Sequence, residues 1–572
     1  MMNHTYKTFF EGDAPKPAGI SLGYPVPGPQ SASADQIANA AFFASACDWN
    51  TVLTETFDFI VVGTGPTGVA FIEESFRLNP KARILVLDRG GFWLPVHYQM
   101  LATSFQATGG SPPTTYPWTR TTQMVTTGEK FFQAGYMPIV GGRSSYWSAW
   151  CPMPNPDQMR DWPDEVIAVT QQPGFWERAK KFLHVTSMDQ IQDGVYGNLQ
   201  TQLDSNIQQN FRRLVPTAQH AYAAPIAVDI PEWKSVKFFK YSTVGTLFDL
   251  YEAQKALAAA GKGTALTMAD HCVVDRMIHD GQGSVIALET SRGPLPVGNA
   301  KVILSMGAIP PATLLMNSFG DRLPNAGQRY TGHFMSHVTA RVRRSAFKDL
   351  SSLEIAALYL DGKAANGLQY HVQTSAFSAT DPVADAGTIA REAPDAAAVA
   401  TPAQLGESVE YVVFVCATLG EVSEKNPDNW LRRNGGGDPT TNISLQLTLN
   451  SDDYDLWEVL DAATYQNIEA MTAPAGAAAP VVEYWVEQPD GTGKWETTKP
   501  PREQIRLNII VHEASPLWMG TDARTSVVGL DYRPHGVANV YVTGASLFPT
   551  CGSWNPTLTM CGLAQDLASR LA

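Results

Sequence analysis

The chain has no apolar run approaching the ~18 residues that a membrane-spanning helix requires, so no such helix is expected. It has only six cysteines in 572 residues, and none forms a C-x-x-C pair. That excludes a disulfide framework and predicts reduced, buried thiols in a cytoplasmic protein. Its N-terminus shows no basic stretch followed by an apolar one, so no secretory or twin-Arg signal is expected in it. Positive charge is short: 41 Lys and Arg against 55 Asp and Glu leave a net charge of −14. A field of that sign repels nucleic acid and anionic lipid. No His, Cys and Asp set has metal-ligand spacing, so no metal is expected. No G-x-S-x-G occurs, which excludes a hydrolase elbow.

What is there belongs to a globular enzyme: 44% apolar and 17% charged residues. Residues 1 to about 54 are rich in Pro, Ala and Ser and read as an N-terminal arm packed over the body. FDFIVVG (57–63) is a buried strand, a helical pattern runs from Pro66 to about Leu78, and RILVLD (83–88) is a second buried strand. Apolar on both faces, these strands suit a parallel sheet. Residues 103–130 read as a long functional loop, and a helix is expected over Leu247–Ala260. Strands are expected over Thr264–Ile278, Ser284–Thr290 and KVILSM (301–306), with Gly307-Ala308 opening a helix. Between 331 and 530 the strand-like segments predict an antiparallel sheet, and the Ala- and Pro-rich stretches 385–404 and 472–480 read as surface loops. A helix is expected from Pro556 to Leu571.

Gly63-Thr64-Gly65-Pro66-Thr67-Gly68 is G-x-G-x-x-G placed between a strand and a helix. The first glycine makes the tight turn, the second admits a pyrophosphate, and the third lets helix and strand pack closely. The helix N-terminus supplies unpaired N–H groups and a positive dipole end for the phosphates. Asp88, at the tip of the second strand, is placed to accept from ribose hydroxyls. The motif predicts a dinucleotide but does not separate FAD from NAD.

The C-terminal segment VYVTGASLFPTCGSWNPTLTMCGLAQDLASRLA (540–572) resembles the signature of the glucose–methanol–choline (GMC) oxidoreductases. So, in order, do GGRSSYWSAWCP (141–152), VILSMGAIPPATLLMNSFG (302–320), TGHFMSHV (331–338) and VHEASPLWMG (511–520). Within the family the G-G-x-S-x-x-W pattern is most similar to the pyranose oxidase and glycoside oxidase branch. The resemblance implies an α/β fold: a Rossmann-like FAD domain assembled from 55–160, 235–330 and 531–572, and a substrate domain with an antiparallel sheet from 161–234 and 331–530. It implies FAD as cofactor. Tyr146 stands where pyranose oxidases carry a flavin-linked histidine, so noncovalent FAD is expected.

The resemblance makes His512 the base that takes the hydroxyl proton, since an imidazole titrates near working pH. Asn555 would orient the alcohol. Asn555-Pro556 also reads as a helix N-cap followed by the first helical position. The amides of Asn555, Thr557 and Leu558 would then face the negative charge of reduced flavin, a helix-end effect of about 0.3–1 kcal/mol, up to about 2 if buried. Cofactor contacts are expected from Arg89, Gly141, Gly142, Ser144, Ser145, Tyr146, Trp147, Ser148, Gly307 and Ala545, and from the Val274 backbone to adenine. His333, His337 and His535 read as structural. The expected reaction is oxidation of a CH–OH group, a sugar or glycoside first, with hydride passing to flavin N5 and O2 as acceptor. The alternatives are a dehydrogenase using a quinone or protein acceptor, an aryl or aliphatic alcohol oxidase, an NAD enzyme, and a noncatalytic FAD-binding homologue.

Overall fold

The computed structural model describes residues 34–101, 125–127, 131–133, 136–229, 238–394, 400–474 and 479–572. Most of the 103–130 segment and residues 1–33 of the arm lie outside them. The rest of the arm forms two helices, Ala34–Phe42 and Ala46–Val52, and Phe42 stacks on Phe248 with ring centroids 4.2 Å apart.

Among the described residues a five-stranded parallel sheet runs in the order Val540–Val542, Lys301–Leu304, Phe59–Val62, Ile84–Leu87, Thr267–Ala269. Both faces of Phe59–Val62 and Ile84–Leu87 are buried, as their unbroken apolar sequences require. The helices Pro66–Leu78 and Thr557–Leu571 pack on one another beside this sheet. The segment expected as one strand from Thr264 splits in two. Thr267–Ala269 is the edge of the parallel sheet, while Val274–His279 belongs to a separate antiparallel three-stranded sheet with Val285–Thr290 and Gly293–Pro296.

The second body is a mixed sheet, nine-stranded among the described residues, built on the long antiparallel strands Thr331–Arg343, Tyr411–Glu421, Gln369–Ala379 and Leu353–Lys363. Arg506–Ala514 pairs with the first part of Thr331–Arg343. Helix Ser451–Thr472 packs across the sheet and against helix Asn198–Leu214. The strand reading of 331–530 passed over this helix. Its start is nonetheless written in the sequence, because Asn450 and Asp453 form a reciprocal capping box ahead of the apolar series Leu456, Trp457, Leu460 and Ile468.

The 385–404 stretch is also corrected. Pro382–Glu392 is a helix with Ile389 and Ala390 buried. Its C-terminal carbonyls accept from buried side chains: Gln99 Nε2 donates to Ala390 and Ala393, and Lys240 Nζ to Ala393 and Pro394. Of 472–480, Thr472 ends the long helix and 475–478 lie outside the described residues. Five of the six cysteines are unpaired and buried, but Cys47 is exposed. No described helix is long and apolar enough to cross a membrane.

Candidate active site

A cavity of about 530 Å³ lies between the parallel sheet and the large mixed sheet, a size usual for small-molecule sites. Its wall includes Gly63, Thr64, Gly65, Pro66 and Thr67 on one side of the fold and Met335, Gln373, Leu419 and His512 from the mixed sheet. The glycine turn is set by close backbone packing. A Cβ on Gly68 would stand 2.2 Å from Gly63 O, whereas one on Gly65 would meet nothing within 4 Å. Gly68 therefore lies behind the wall and Gly65 faces open space at the helix start. Gly65 is the N-cap of Pro66–Leu78 and carries no side-chain cap, so the first-turn N–H groups remain available to an anion.

Asp88 lines the cavity, but its carboxylate is already engaged. Thr64 N and Thr64 Oγ1 donate to Oδ2 at 2.9 and 2.5 Å, and Gly90 N donates to Oδ1 at 2.8 Å. The residue expected at a ribose thus first braces the glycine turn. Burial pushes its carboxyl up to about 6 against these hydrogen bonds. Arg89 lines the cavity while held by Asp438 at 2.9 Å and Tyr136 Oη at 2.7 Å.

In the 141–152 segment, Gly142, Ser144, Tyr146, Trp147 and Ser148 line the cavity, whereas Gly141 and Ser145 do not. Gly141 N donates to Thr64 Oγ1 at 2.9 Å, tying this segment to the glycine turn. Ser144 Oγ donates to Gly141 O at 2.6 Å and lies 2.8 Å from Thr243 Oγ1, so its hydroxyl anchors helix Thr243–Ala259. Trp147 Nε1 donates to Tyr241 O. Val274, Gly307, Ala545, Asn555, Pro556 and Thr557 also line the wall, while Leu558 is buried behind it.

His512 sits on a distorted strand. Thr331 pairs with Ala514 and His333 with Val511, so Gly332 alone faces both His512 and Glu513. The extra residue makes a β-bulge, and His512 takes φ +59°, a left-handed conformation uncommon for histidine. Such backbone costs about 1–3 kcal/mol and persists where surrounding structure enforces it. The bulge aims the ring at two partners. His512 Nδ1 lies 2.8 Å from His333 Nδ1, Nε2 lies 3.4 Å from Asn555 Nδ2, and the two imidazoles cross at 84°. The ring does not titrate near working pH as expected: burial, with His371 and Arg143 nearby, pulls the His512 pKa down to about 3, so it is neutral across ordinary pH. Arg143, in the cavity wall, is neutralised by Glu513 at 2.6 Å.

Asn555 does not cap a helix. Thr557–Leu571 starts one residue later than expected, with Pro556 at the N-cap. The Asn555 Oδ1 instead accepts from Gln373 Nε2 at 2.9 Å. Residues 427–564 match the family model for GMC oxidoreductase.

The chain has the GMC oxidoreductase fold.

Pyridoxine 4-oxidase from Mesorbium loti shares it, over 90% of this chain and 99% of its own, with a TM-score of 0.56 at 14% sequence identity. No curated protein matches the chain in sequence.

Sequence reasoning missed three members of this GMC-fold site. The sequence reads His333 as structural, yet it touches His512; it shares a strand face with the cavity-lining Met335, the alternation that could place it. Gln373 and Glu513 carry no motif and are brought in only by the sheet. His535, by contrast, bonds Ser526 Oγ and does not line the cavity. One further cluster, Asp35, Asp270 and His271, brings possible metal-ligand atoms within 4.8 Å of one another. Arg292 stands 3.3 Å from Asp270 and the His271 ring lies 3.1 Å from Asp35, so both carboxylates are already engaged and no metal is assigned there.

Proposed function

We propose that the protein is an FAD-dependent oxidoreductase that converts a CH–OH group to a carbonyl. One observation carries the reading: a single cavity wall contains both the uncapped helix start behind Gly65 and the His512–Asn555 pair. The residues present fit a flavin dinucleotide. The helix Pro66–Leu78 and the open face of Gly65 would hold the pyrophosphate, and the N-terminal turn around Pro556, Thr557 and Met560 would face the ring system. Bound FAD supplies a hydride acceptor. The chain's own residues do the rest. His512 Nε2 takes the hydroxyl proton, and Asn555 Nδ2 donates to the substrate oxygen as charge builds on it. Tyr146 in place of a histidine supports a noncovalent cofactor.

Within this reading the substrate is a sugar or glycoside and the acceptor is O2, which leaves as hydrogen peroxide. Support for the sugar comes from the G-G-x-S-x-x-W pattern alone. The structural neighbour is named for pyridoxine, so that alcohol belongs in the same assay. The test is an anaerobic titration of the purified yellow protein with sugars, glycosides, aryl alcohols and pyridoxine, followed by the loss of flavin absorbance. Bleaching by an alcohol, and peroxide on readmission of air, are expected. A colourless protein that takes up no FAD would remove the proposal.

A further inference from the structure

Proton bookkeeping around His512 has one solution. A carbonyl oxygen can only accept, and Gly552 O lies 2.6 Å from His333 Nε2, so His333 carries its proton on Nε2. His333 is fully buried and bonded to no carboxylate; burial and the neighbouring His512 hold it neutral, which leaves Nδ1 as a lone pair. His512 Nδ1, 2.8 Å away, must then be the donor. Its Nε2 is left bare, next to Asn555 Nδ2. Asn555 is turned that way because its Oδ1 is taken by Gln373. Neither nitrogen of His512 has another hydrogen-bond partner among the described residues. Its other ionisable neighbours, Arg143 with its partner Glu513 and His371, bond elsewhere: His371 Nδ1 donates to Ser553 O.

We propose that His333 is a positioning residue that locks His512 in the Nδ1–H tautomer and so selects Nε2 as the base. The orientation follows from an acceptor-only backbone oxygen and passes through two rings. Without His333, the His512 ring could carry its proton on either nitrogen, and the form with a proton on Nε2 could not accept one there. The kinetic consequence rests on the alcohol oxidation proposed above; the tautomer itself does not.

The experiment uses the full-length flavin-loaded protein labelled with 15N-histidine. Long-range 1H–15N correlation spectra distinguish a protonated from a lone-pair ring nitrogen, and loss of the His512 signals in His512→Asn assigns them. The wild type is expected to show Nδ1–H and bare Nε2 from about pH 6 to 8. A proton on Nε2, or an imidazolium, overturns the proposal, whereas the proposed reaction stands or falls separately on whether an alcohol bleaches the flavin of the same protein. In His333→Leu the Nε2–H form should appear, and flavin reduction by any alcohol that bleaches the wild type should slow by about tenfold or more, with KM little changed. His333→Asn, which keeps an acceptor near the place of Nδ1, should restore the Nδ1–H signal and most of the rate. An unaltered tautomer and rate in His333→Leu would overturn the proposal. If that variant fails to fold, the wild-type spectrum still decides.

Discussion

Within one cavity wall, the glycine turn is a local construction and the His512–Asn555 pair a distant one. The turn is made by neighbours in sequence: Gly63 to Gly68 pack on themselves, and Asp88, one strand later, ties them down. The His512–Asn555 pair needs a bulged strand, its partner strand, a third strand carrying Gln373 and the loop before the last helix. At Gly63 and Gly68 the turn tolerates almost no added volume, and it has little side-chain chemistry to lose. The pair is the reverse, with all its value in the orientation of a few polar atoms. Packing and chemistry should therefore separate when each is perturbed.

The largest separation is expected at His512. Asparagine tolerates the left-handed backbone, so His512→Asn should fold and keep its flavin while the rate of flavin reduction falls by about 10²–10⁴, read by stopped-flow bleaching. An unchanged rate would place the base elsewhere. The turn supplies the opposite case. In Gly68→Ala the added Cβ meets Gly63 O at 2.2 Å, and thermal unfolding should show a loss of about 3 kcal/mol or more. Gly65→Ala has room, so the apoprotein should unfold within about 1 kcal/mol of the wild type while the bound flavin-to-protein absorbance ratio drops. Equal behaviour of the two variants would end the distinction between a packing glycine and a cofactor glycine.

Acid should expose a smaller effect. With His512 held at about 3 in the fold and near 6.5 unfolded, the unfolded chain binds the extra proton between those values. This residue's contribution is complete above pH 6.5 and is lost as pH falls toward 3. Comparing denaturant unfolding of wild type and His512→Asn at pH 7 and pH 4.5, the gap should move in favour of the variant by on the order of 2 kcal/mol. No movement would mean the ring is not shielded as described. The smallest effect concerns Asn555. Because it caps no helix, Asn555→Ala should cost about 1 kcal/mol through the stranded Gln373 amide, and Gln373→Met in the same chain should recover part of it. A double variant no more stable than the single one would argue for a lost cap instead.

The same contrast governs what could be read from sequence. Both strands and the helix of the glycine turn were legible because their apolar runs and glycine spacing are local. His512 and Asn555 were legible only through family resemblance, since nothing in RLNIIVH signals a bulge. His333 was passed over because its importance lies in which of its nitrogens carries a proton, and that is decided by Gly552, 219 residues away. Helix Ser451–Thr472 was missed where a strand pattern was being followed, despite its capping box. Asp88 was placed correctly at a strand tip, yet sequence spacing could not reveal that the turn itself would claim its oxygens first.

The run of N–H groups behind His512 stops at the peptide oxygen of Gly552, and an amide oxygen relays nothing onward. Whatever proton the ring acquires has no wire into the protein interior along that path. It has to depart by the side from which it came, so discharge of the ring and departure of the ketone or aldehyde would share a doorway, and the order of those two exits would set how soon the next alcohol can be accepted.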